Sequence, residues 1–185
     1  DSSRPGGQPS TMQPSAGPWL SPKVVTVKSL PIVLPDMPGC LELGRVQQEH
    51  ATATVLDSLD SGSHVICMDD VYGGTYRLFE RVRKRSANLE FSFVDLGDRA
   101  ALEAAVRPNT KLIWAETPTN PLLKVLDIAA LADFARKRGI RLAVDNTFAT
   151  PILQRPLELG AHLVMHSATK YLNGHSDMVG GMLVV

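Results

Sequence analysis

The chain has 185 residues, and lysine plus arginine balance aspartate plus glutamate at 19 each, so its formal net charge is zero. No basic face or basic amphipathic helix is apparent, which argues against a nucleic-acid or membrane-surface partner. We find no apolar run long enough to span a bilayer and no secretory signal. Because the two cysteines, Cys40 and Cys67, make no disulfide framework, we expect a reduced, cytoplasmic protein.

The first 50 residues differ in composition from the rest of the chain. Lys23 to Val27 is compatible with a short strand, but the surrounding prolines limit any longer element. We therefore predict a poorly ordered or linker-like leader over residues 1–50; proline-rich docking is the alternative, without a clean P-x-x-P array. Eight of the 13 prolines lie in this leader: Pro5, Pro9, Pro14, Pro18, Pro22, Pro31, Pro35 and Pro38.

From Ala51 onward, strand patterns alternate with helix patterns. Asp98 and Asp127 are expected to cap two of the helices, and Gly139 to end the second. Short apolar strands alternating with helices predict an α/β fold, a three-layer, mainly parallel sheet with helices on both faces. The predicted strands cover 64–68, 89–96, 111–115, 141–144, 163–166 and 182–185, and the predicted helices 51–60, 76–85, 98–106 and 127–138.

The most informative stretch, residues 166–177, follows the apolar strand at 163–165. A strand of this kind is typical of the interior of a parallel sheet. It delivers Ser167, Thr169 and Lys170 to its carboxyl end, where open α/β sheets bind ligands. Hydroxyls can bond phosphate oxygens, and a lysine among apolar or cationic neighbours can form a Schiff base with a carbonyl. An isolated S-x-T-K pattern is more often a surface lysine after a strand, so the whole string carries the argument.

The string from Ser167 to Asp177 reads Ser-Ala-Thr-Lys-Tyr-Leu-Asn-Gly-His-Ser-Asp. It resembles the cofactor-lysine segment of the Cys/Met-metabolism family of pyridoxal-phosphate enzymes, and within that family the cystathionine γ-lyases and γ-synthases. The resemblance runs from about Ala51 to Val185. It implies the large-domain portion of the fold type I pyridoxal-phosphate transferases. It also implies pyridoxal 5′-phosphate as cofactor, held by the catalytic residue Lys170, with Ser167 and Thr169 as further cofactor contacts.

Asp145 follows the predicted strand at 141–144. A carboxylate at a strand end is by itself more often a helix cap or a surface group. A pyridoxal ring is an electron sink only while its nitrogen stays protonated, and a buried carboxylate beside that nitrogen holds the proton. The segment 144–148 resembles the family segment whose aspartate does this. The spacing from Asp145 to Lys170 accommodates one helix and one strand, so we expect the two at the ends of neighbouring strands.

Three further residues gain roles from the resemblance. Tyr72 precedes two glycines, which let a ring lie flat against a ligand, and the resemblance implies stacking on the cofactor and help in proton transfer. Asn120 lies in the proline-bracketed loop 116–121, and by resemblance it bonds the cofactor's phenolic oxygen or the substrate carboxylate. Arg77 matches a family arginine near the substrate. Without the resemblance, a turn tyrosine, a turn asparagine and a solvated arginine remain alternatives.

Parts of the family pattern are missing. In place of a Ser-Gly-x-Ala-Ala phosphate loop the chain has Gln-Gln-Glu-His-Ala at residues 47–51, and Glu49 would add a like charge beside an anion. An upstream Tyr-x-Arg segment, which reaches a neighbouring subunit's site, is not found. A smaller C-terminal domain with a substrate-binding arginine is not found before Val185. We therefore expect a partial large domain over residues 51–185, behind a leader of different origin.

The resemblance implies γ-elimination or γ-replacement on cystathionine or an activated homoserine, by a full-length homotetramer whose subunits share sites. Cystathionine β-lyase and methionine γ-lyase are less similar alternatives. A catalytically inactive fragment, or a binding module that keeps only the sheet, is an alternative of another class. A nicotinamide-dependent dehydrogenase is disfavoured because no G-x-G-x-x-G follows a strand. No metal site is predicted, because no ligand-spaced cluster accompanies His166 and His175.

Overall fold

The computed structural model describes the backbone of residues 24–25 and the whole of residues 51–185. The strand β1 (Val24–Val25) falls where the sequence allows a short strand. The other predictions for residues 1–50, including the altered loop at 47–50 and the state of Cys40, lie outside the described residues.

Besides β1, the described strands are β2 (His64–Met68), β3 (Glu90–Val94), β4 (Thr110–Glu116), β5 (Arg141–Asp145), β6 (Leu163–Ser167) and β7 (Gly181–Val184). They form one seven-stranded sheet in the order β1-β7-β6-β5-β4-β2-β3. The five strands β3, β2, β4, β5 and β6 run parallel to one another, so the predicted mainly parallel sheet is confirmed. β7 runs antiparallel to β6, and β1 runs antiparallel to β7.

The antiparallel direction of β7 was not predicted. The connection from β6 to β7 contains turns but no helix. A parallel neighbour needs a crossover that carries the chain back along the sheet, usually a helix, whereas an antiparallel neighbour does not. The turn-rich connection therefore reverses the chain.

Helices occupy the crossovers between the parallel strands. The helix predicted over 76–85 begins earlier, at Gly73, and is irregular in its middle, where residues Leu78–Arg83 form a π-helical segment. No helix among the described residues is long and apolar enough to cross a membrane. The helices are α1 (residues 51–57), α2 (Gly73–Arg77), α3 (Lys84–Ser86), α4 (Arg99–Ala105), α5 (Ile128–Arg136) and α6 (Thr150–Leu153).

Side-chain caps fix the start of two helices as predicted. Asp98 accepts hydrogen bonds from Ala100 N at 2.9 Å and Ala101 N at 3.2 Å, and Asp127 accepts one from Ala130 N at 2.9 Å. Each cap satisfies amide groups that have no partner within the helix.

The core covers both faces of the central strands. The consecutive residues Val65, Ile66 and Cys67 of β2 are all 0% exposed. Because successive side chains of a strand point to opposite faces, both faces must be covered. On one face, the ring of Phe79 in the π-helical segment lies 5.5 Å from that of Trp114. The apolar interiors of these strands leave polar residues chiefly at their ends.

A closed hydrogen-bond network surrounds His64 at the amino end of the sheet. The Thr110 hydroxyl accepts from Arg107 N at 2.8 Å and is hydrogen-bonded to His64 Nδ1 at 2.8 Å. His64 Nε2 is hydrogen-bonded to Ser92 Oγ at 3.0 Å, and Ser92 Oγ also accepts from Arg107 Nη2 at 3.1 Å. Burial, with the nearby Arg107 charge, lowers the pKa of His64 to about 4. The ring is therefore neutral at pH 7, and both ring nitrogens are bonded.

Candidate functional site

Neighbouring parallel strands end in polar side chains at one edge of the sheet. β4 ends at Glu116, β5 at Asp145 and β6 at Ser167, and Lys170 follows in the turn after β6. Because β4, β5 and β6 are adjacent and parallel, their carboxyl ends meet at the edge where such sheets bind ligands. The strand register pairs Glu116 directly with Asp145.

A cavity of about 260 Å³ opens at this edge. Its lining brings together four residues that the sequence singles out, far apart in the chain: Tyr72, Asn120, Asp145 and Lys170. The other lining residues are Glu116, Pro118, Thr147, Phe148 and Tyr171.

Asp145 is buried, at 3% exposure, and held in one orientation. Its Oδ1 accepts from Thr147 Oγ1 at 2.6 Å and from Thr147 N at 3.0 Å. The Thr147 hydroxyl in turn accepts from Ser167 N at 2.8 Å, which joins the ends of β5 and β6. Burial raises the pKa of Asp145, while the two Thr147 donors favour the charged carboxylate and limit that rise. The arrangement presents a fixed, buried carboxyl group to the cavity.

Glu116 is a second buried carboxyl group in the lining, at 5% exposure. Its Oε2 accepts from Tyr72 N at 3.0 Å. Burial raises the pKa of Glu116, the charges of Asp145 and Asp70 raise it further, and the backbone amides of Tyr72 and Asn120 oppose the rise. Two acidic groups thus share one low-dielectric edge of the cavity.

Tyr72 is positioned by the helix that follows it. It lies at the amino end of α2, and its carbonyl accepts from Tyr76 N at 3.2 Å. A Cβ added at Gly74 would overlap the Tyr72 ring, so the ring lies directly against the glycine backbone. The stacking of this ring on a ligand remains a prediction.

Asn120 is carried by the loop at residues 117–121, in which both X-Pro peptide bonds are cis. The Thr119 hydroxyl donates to Asp70, which follows β2. Gln154 Nε2 donates to the backbone carbonyl oxygen of Thr117 at 3.0 Å. These two bonds hold the loop against the edge of the sheet, with Asn120 in the cavity lining.

Ser167, Thr169 and Arg77 do not line the cavity. Ser167 is buried at the end of β6, and its Oγ has no hydrogen-bond partner among the described residues. The Thr169 hydroxyl exchanges hydrogen bonds with the backbone of Gly180, accepting from its N at 3.0 Å. Arg77 is exposed on α2. The roles predicted for these residues remain predictions.

His166 and His175 also lie outside the cavity lining. His166 is buried on β6, and burial lowers its pKa, whereas His175 is exposed in the turn beyond Lys170. Within the described part of the chain, no group of three or more His, Cys, Asp or Glu side chains is placed to hold a metal ion.

Four residues of the cavity lining were not predicted from the sequence: Glu116, Thr147, Phe148 and Tyr171. Glu116 carried a usable signal, because it follows an apolar strand just as Asp145 does, but it was assigned to the loop after β4. Thr147 carried a weaker one, since an aspartate side chain often accepts a hydrogen bond from the backbone two residues further on. Phe148 and Tyr171, whose rings lie 5.9 Å apart, come together only through the fold.

Known proteins are similar to this chain in both sequence and fold. The family described as "Cys/Met metabolism PLP-dependent enzyme", where PLP is pyridoxal 5′-phosphate, matches residues 48–185. The chain belongs to this family. Its members are PLP-dependent enzymes, as the sequence resemblance implied, and their large-domain sheet is the fold type I architecture described above.

Individual members of the Cys/Met-metabolism family are similar to this chain over nearly three quarters of its length. A cystathionine β-lyase of Coxiella burnetii is 61% identical over 135 residues, which are 73% of this chain and 35% of the relative. A cystathionine γ-lyase of Bacillus subtilis is 56% identical over 134 residues, 72% of this chain and 35% of the relative. The crystal structure of cystathionine γ-lyase from Lactobacillus plantarum complexed with L-serine has a TM-score of 0.71 at 50% identity. It covers 74% of this chain and 35% of that one.

The chain thus spans about a third of the length of these relatives. The resemblance to γ-lyases is confirmed, but the ranking of β-lyases as less similar is not supported by the relative that is 61% identical. Percentage identity therefore does not separate γ-cleavage from β-cleavage within this family.

Proposed function

We propose that the full-length protein binds PLP at this cavity and catalyses γ-elimination or γ-replacement on cystathionine or an activated homoserine, as in trans-sulfuration. The observation that carries the proposal is the cavity itself, where the Lys170 amine, the buried Asp145 carboxyl group and the Tyr72 ring meet. Each suits a different part of PLP: the aldehyde, the ring nitrogen and the face of the ring.

The donors of the site fit the cofactor. Lys170 would hold PLP covalently through Nζ, and Asn120 would bond the phenolic oxygen of the ring. Ser167 and Thr169 would bond phosphate oxygens. Ser167 Oγ supports this assignment, because a buried hydroxyl with no partner among the described residues is free to donate. The Thr169 hydroxyl would have to release Gly180, to which it is now bonded.

When bound, PLP supplies an electron sink for the charge that develops at the substrate Cα. Once the substrate amine has displaced it from the cofactor, the Lys170 amine would take the Cα proton, because it lines the cavity in which the substrate would lie. A further proton would then leave Cβ, which allows the bond to the γ-substituent to break. Asp145, oriented by Thr147, would hold the proton on the ring nitrogen by charge pairing in a buried setting. The Tyr72 hydroxyl would donate a proton to the departing γ-substituent. Arg77, now exposed, would approach the substrate only after a side-chain movement.

Visible absorption tests whether this site exists in the chain. Titration with PLP should produce a visible band that Lys170→Ala lacks. Lys137→Ala is the matched control, because Lys137 is an exposed lysine paired with Asp133 at 2.6 Å. A band that survives Lys170→Ala, or no band at all, would leave the inactive fragment or binding module as the better reading of this chain.

The β-lyase relative supports β-cleavage of cystathionine as the second candidate. The keto acid released by the full-length protein separates the two reactions, because γ-elimination yields 2-oxobutanoate and β-elimination yields pyruvate. Pyruvate as the main keto acid would replace the γ-assignment with the β-assignment, and an amount of 2-oxobutanoate matching the cysteine formed would support the former.

We also propose that the full-length protein is a cytoplasmic homotetramer whose subunits share sites. Large apolar side chains are exposed just after the loop at residues 117–121: Leu122 is 67% exposed and Val125 is 74% exposed. Their exposure supports an assembly in which another subunit covers them. Cys67, a free buried thiol, agrees with a reducing compartment. Native mass spectrometry should give four copies, and a monomer at micromolar concentration would contradict the assembly.

A further inference from the structure

Glu116 stands beside Asp145 in the cavity lining, and the chemistry proposed above gives it no task. The sheet register pairs the two residues on neighbouring parallel strands. The backbones of such strands lie about 5 Å apart in the hydrogen-bonding direction. Residues paired in this way point to the same face of a sheet. Both side chains are buried, at 5% and 3% exposure, and both line the cavity.

Two carboxyl groups buried on paired residues of neighbouring strands resist being charged together. Ionising the second places like charges side by side in a low-dielectric environment, so one proton stays bound to the pair over a wide pH range. Asp70 adds a third acidic group on the side of β2. Lys170 is the cation of the cavity lining, but it is exposed to solvent.

The hydrogen bonds decide which carboxyl group keeps the proton. Asp145 receives a hydroxyl and an amide from Thr147 on a single oxygen, and such donors favour the charged form. Glu116 receives the backbone amides of Tyr72 and Asn120, but it also faces the charges of Asp145 and Asp70. The balance places the negative charge on Asp145 and the proton on Glu116.

We propose that Glu116 is a neutral carboxylic acid at pH 7 that shares one proton with Asp145, so that the pair presents a single negative charge to the cavity. One charge matches one cationic ring nitrogen, and this part of the inference rests on the proposed function. The shared proton itself requires no bound cofactor. Glu116 is a positioning residue in this arrangement, because its Oε2 also fixes the Tyr72 backbone.

Infrared spectroscopy of the cofactor-free chain tests the shared proton directly, since protonated and ionised carboxyl groups absorb at different frequencies. At pH 7 we expect a protonated-carboxyl band that disappears in Glu116→Gln. The band should persist in Glu158→Gln, the matched control, because Glu158 is exposed and paired with Arg155. In Asp145→Asn the neighbouring charge is gone, so the midpoint at which Glu116 ionises should fall by about one pH unit or more.

Equal spectra for the wild type and Glu116→Gln at pH 7 would overturn the proposal, as would an unmoved midpoint in Asp145→Asn. Circular dichroism checks that each variant folds. If Asp145→Asn does not fold, Thr147→Val serves instead: losing its hydroxyl donor should shift the proton toward Asp145 and weaken the Glu116 band. Failure of PLP to bind at Lys170 would remove the proposed function but leave these spectra unchanged, so the two failures are distinguishable.

Discussion

The two ends of the sheet bury polar groups in opposite ways. At the amino end, His64 has a hydroxyl partner on each ring nitrogen, from Thr110 and Ser92, and the ring is neutral. At the carboxyl end, Glu116 and Asp145 are placed side by side at the wall of a cavity. The amino end is an internally satisfied network, whereas the carboxyl end keeps acidic groups that can act on a ligand.

This difference shows that a shifted pKa alone does not identify a functional site. Both ends carry shifted groups, and burial is the main cause in each case. Only the carboxyl end combines the shift with a cavity and with an amine, Lys170. We therefore expect substitutions at the amino end to change stability, and substitutions at the carboxyl end to change cofactor binding.

The largest expected effect is that of Asp145→Ala on PLP affinity. Removing one partner of a buried charge pair costs about 3–5 kcal/mol. Since about 1.4 kcal/mol is tenfold, the PLP dissociation constant should rise by about two to three orders of magnitude or more. The cofactor-free chain should lose little stability, because removal of a desolvated carboxyl group offsets the cost of leaving the two Thr147 donors unpaired. Fluorescence titration measures the PLP affinity, and urea unfolding measures the stability. Unchanged affinity together with lost stability would contradict the prediction, because it would give Asp145 the purely structural role expected of residues at the amino end.

The next largest effect should be a loss of stability at low pH that is caused by protonation of His64. Its pKa is about 4 when folded and about 6.5 when unfolded, so the unfolded chain binds the proton more readily between these values. The contribution of His64 to stability is complete above pH 6.5, falls as the pH drops from 6.5 to 4, and is constant below 4. The loss is at most about 3 kcal/mol. Urea unfolding at several pH values should show this slope in the wild type and a reduced slope in His64→Gln.

Thr110→Val should have a smaller effect on stability and none on cofactor affinity. It leaves the buried His64 Nδ1 and the N of the exposed residue Arg107 without their shared partner, and a buried unsatisfied group such as Nδ1 costs about 1–3 kcal/mol. The free energy of unfolding should fall by an amount in that range. A weakened PLP affinity in this variant would show that the two ends of the sheet are coupled.

At the cavity, Tyr72→Phe should affect PLP affinity far less than Asp145→Ala does. The variant keeps the ring against Gly74 and loses only the hydroxyl, so the dissociation constant should stay within a few-fold of the wild type. Turnover of the full-length enzyme should fall by about 10²–10⁴-fold at most, and by less than in Asp145→Ala. Equal losses of PLP affinity in Tyr72→Phe and Asp145→Ala would contradict the pairing of Asp145 with the ring nitrogen.

The fold was largely predictable because its strands are short apolar runs with turn residues between them. Residues 64–68 form the predicted strand without change, and Asp98 and Asp127 cap helices as expected. The direction of β7 and the π-helical segment Leu78–Arg83 were not predictable. Strand direction depends on the path of the connection. A π-helical segment of 6 residues is too short for its hydrophobic spacing to be told from that of an α-helix.

The candidate site was predictable only in part. Lys170 and Asp145 follow apolar strands within long family-like strings, so both were identified before their positions were known. Glu116 was missed although it ends β4 in the same way, because a carboxylate at a strand end gains meaning only from its neighbour. The register that pairs Glu116 with Asp145 is a property of the assembled sheet and not of either segment alone.

The central claim is that the carboxyl end of the sheet presents Lys170, and not another lysine, to PLP. Borohydride reduction of the PLP-treated chain fixes the cofactor on the lysine that holds it, and peptide mass spectrometry then identifies that residue. The account predicts that the label lies on the Lys170 peptide at near-stoichiometric level, with only traces at exposed lysines such as Lys84 and Lys137. Equal labelling of Lys170 and those surface lysines would contradict it.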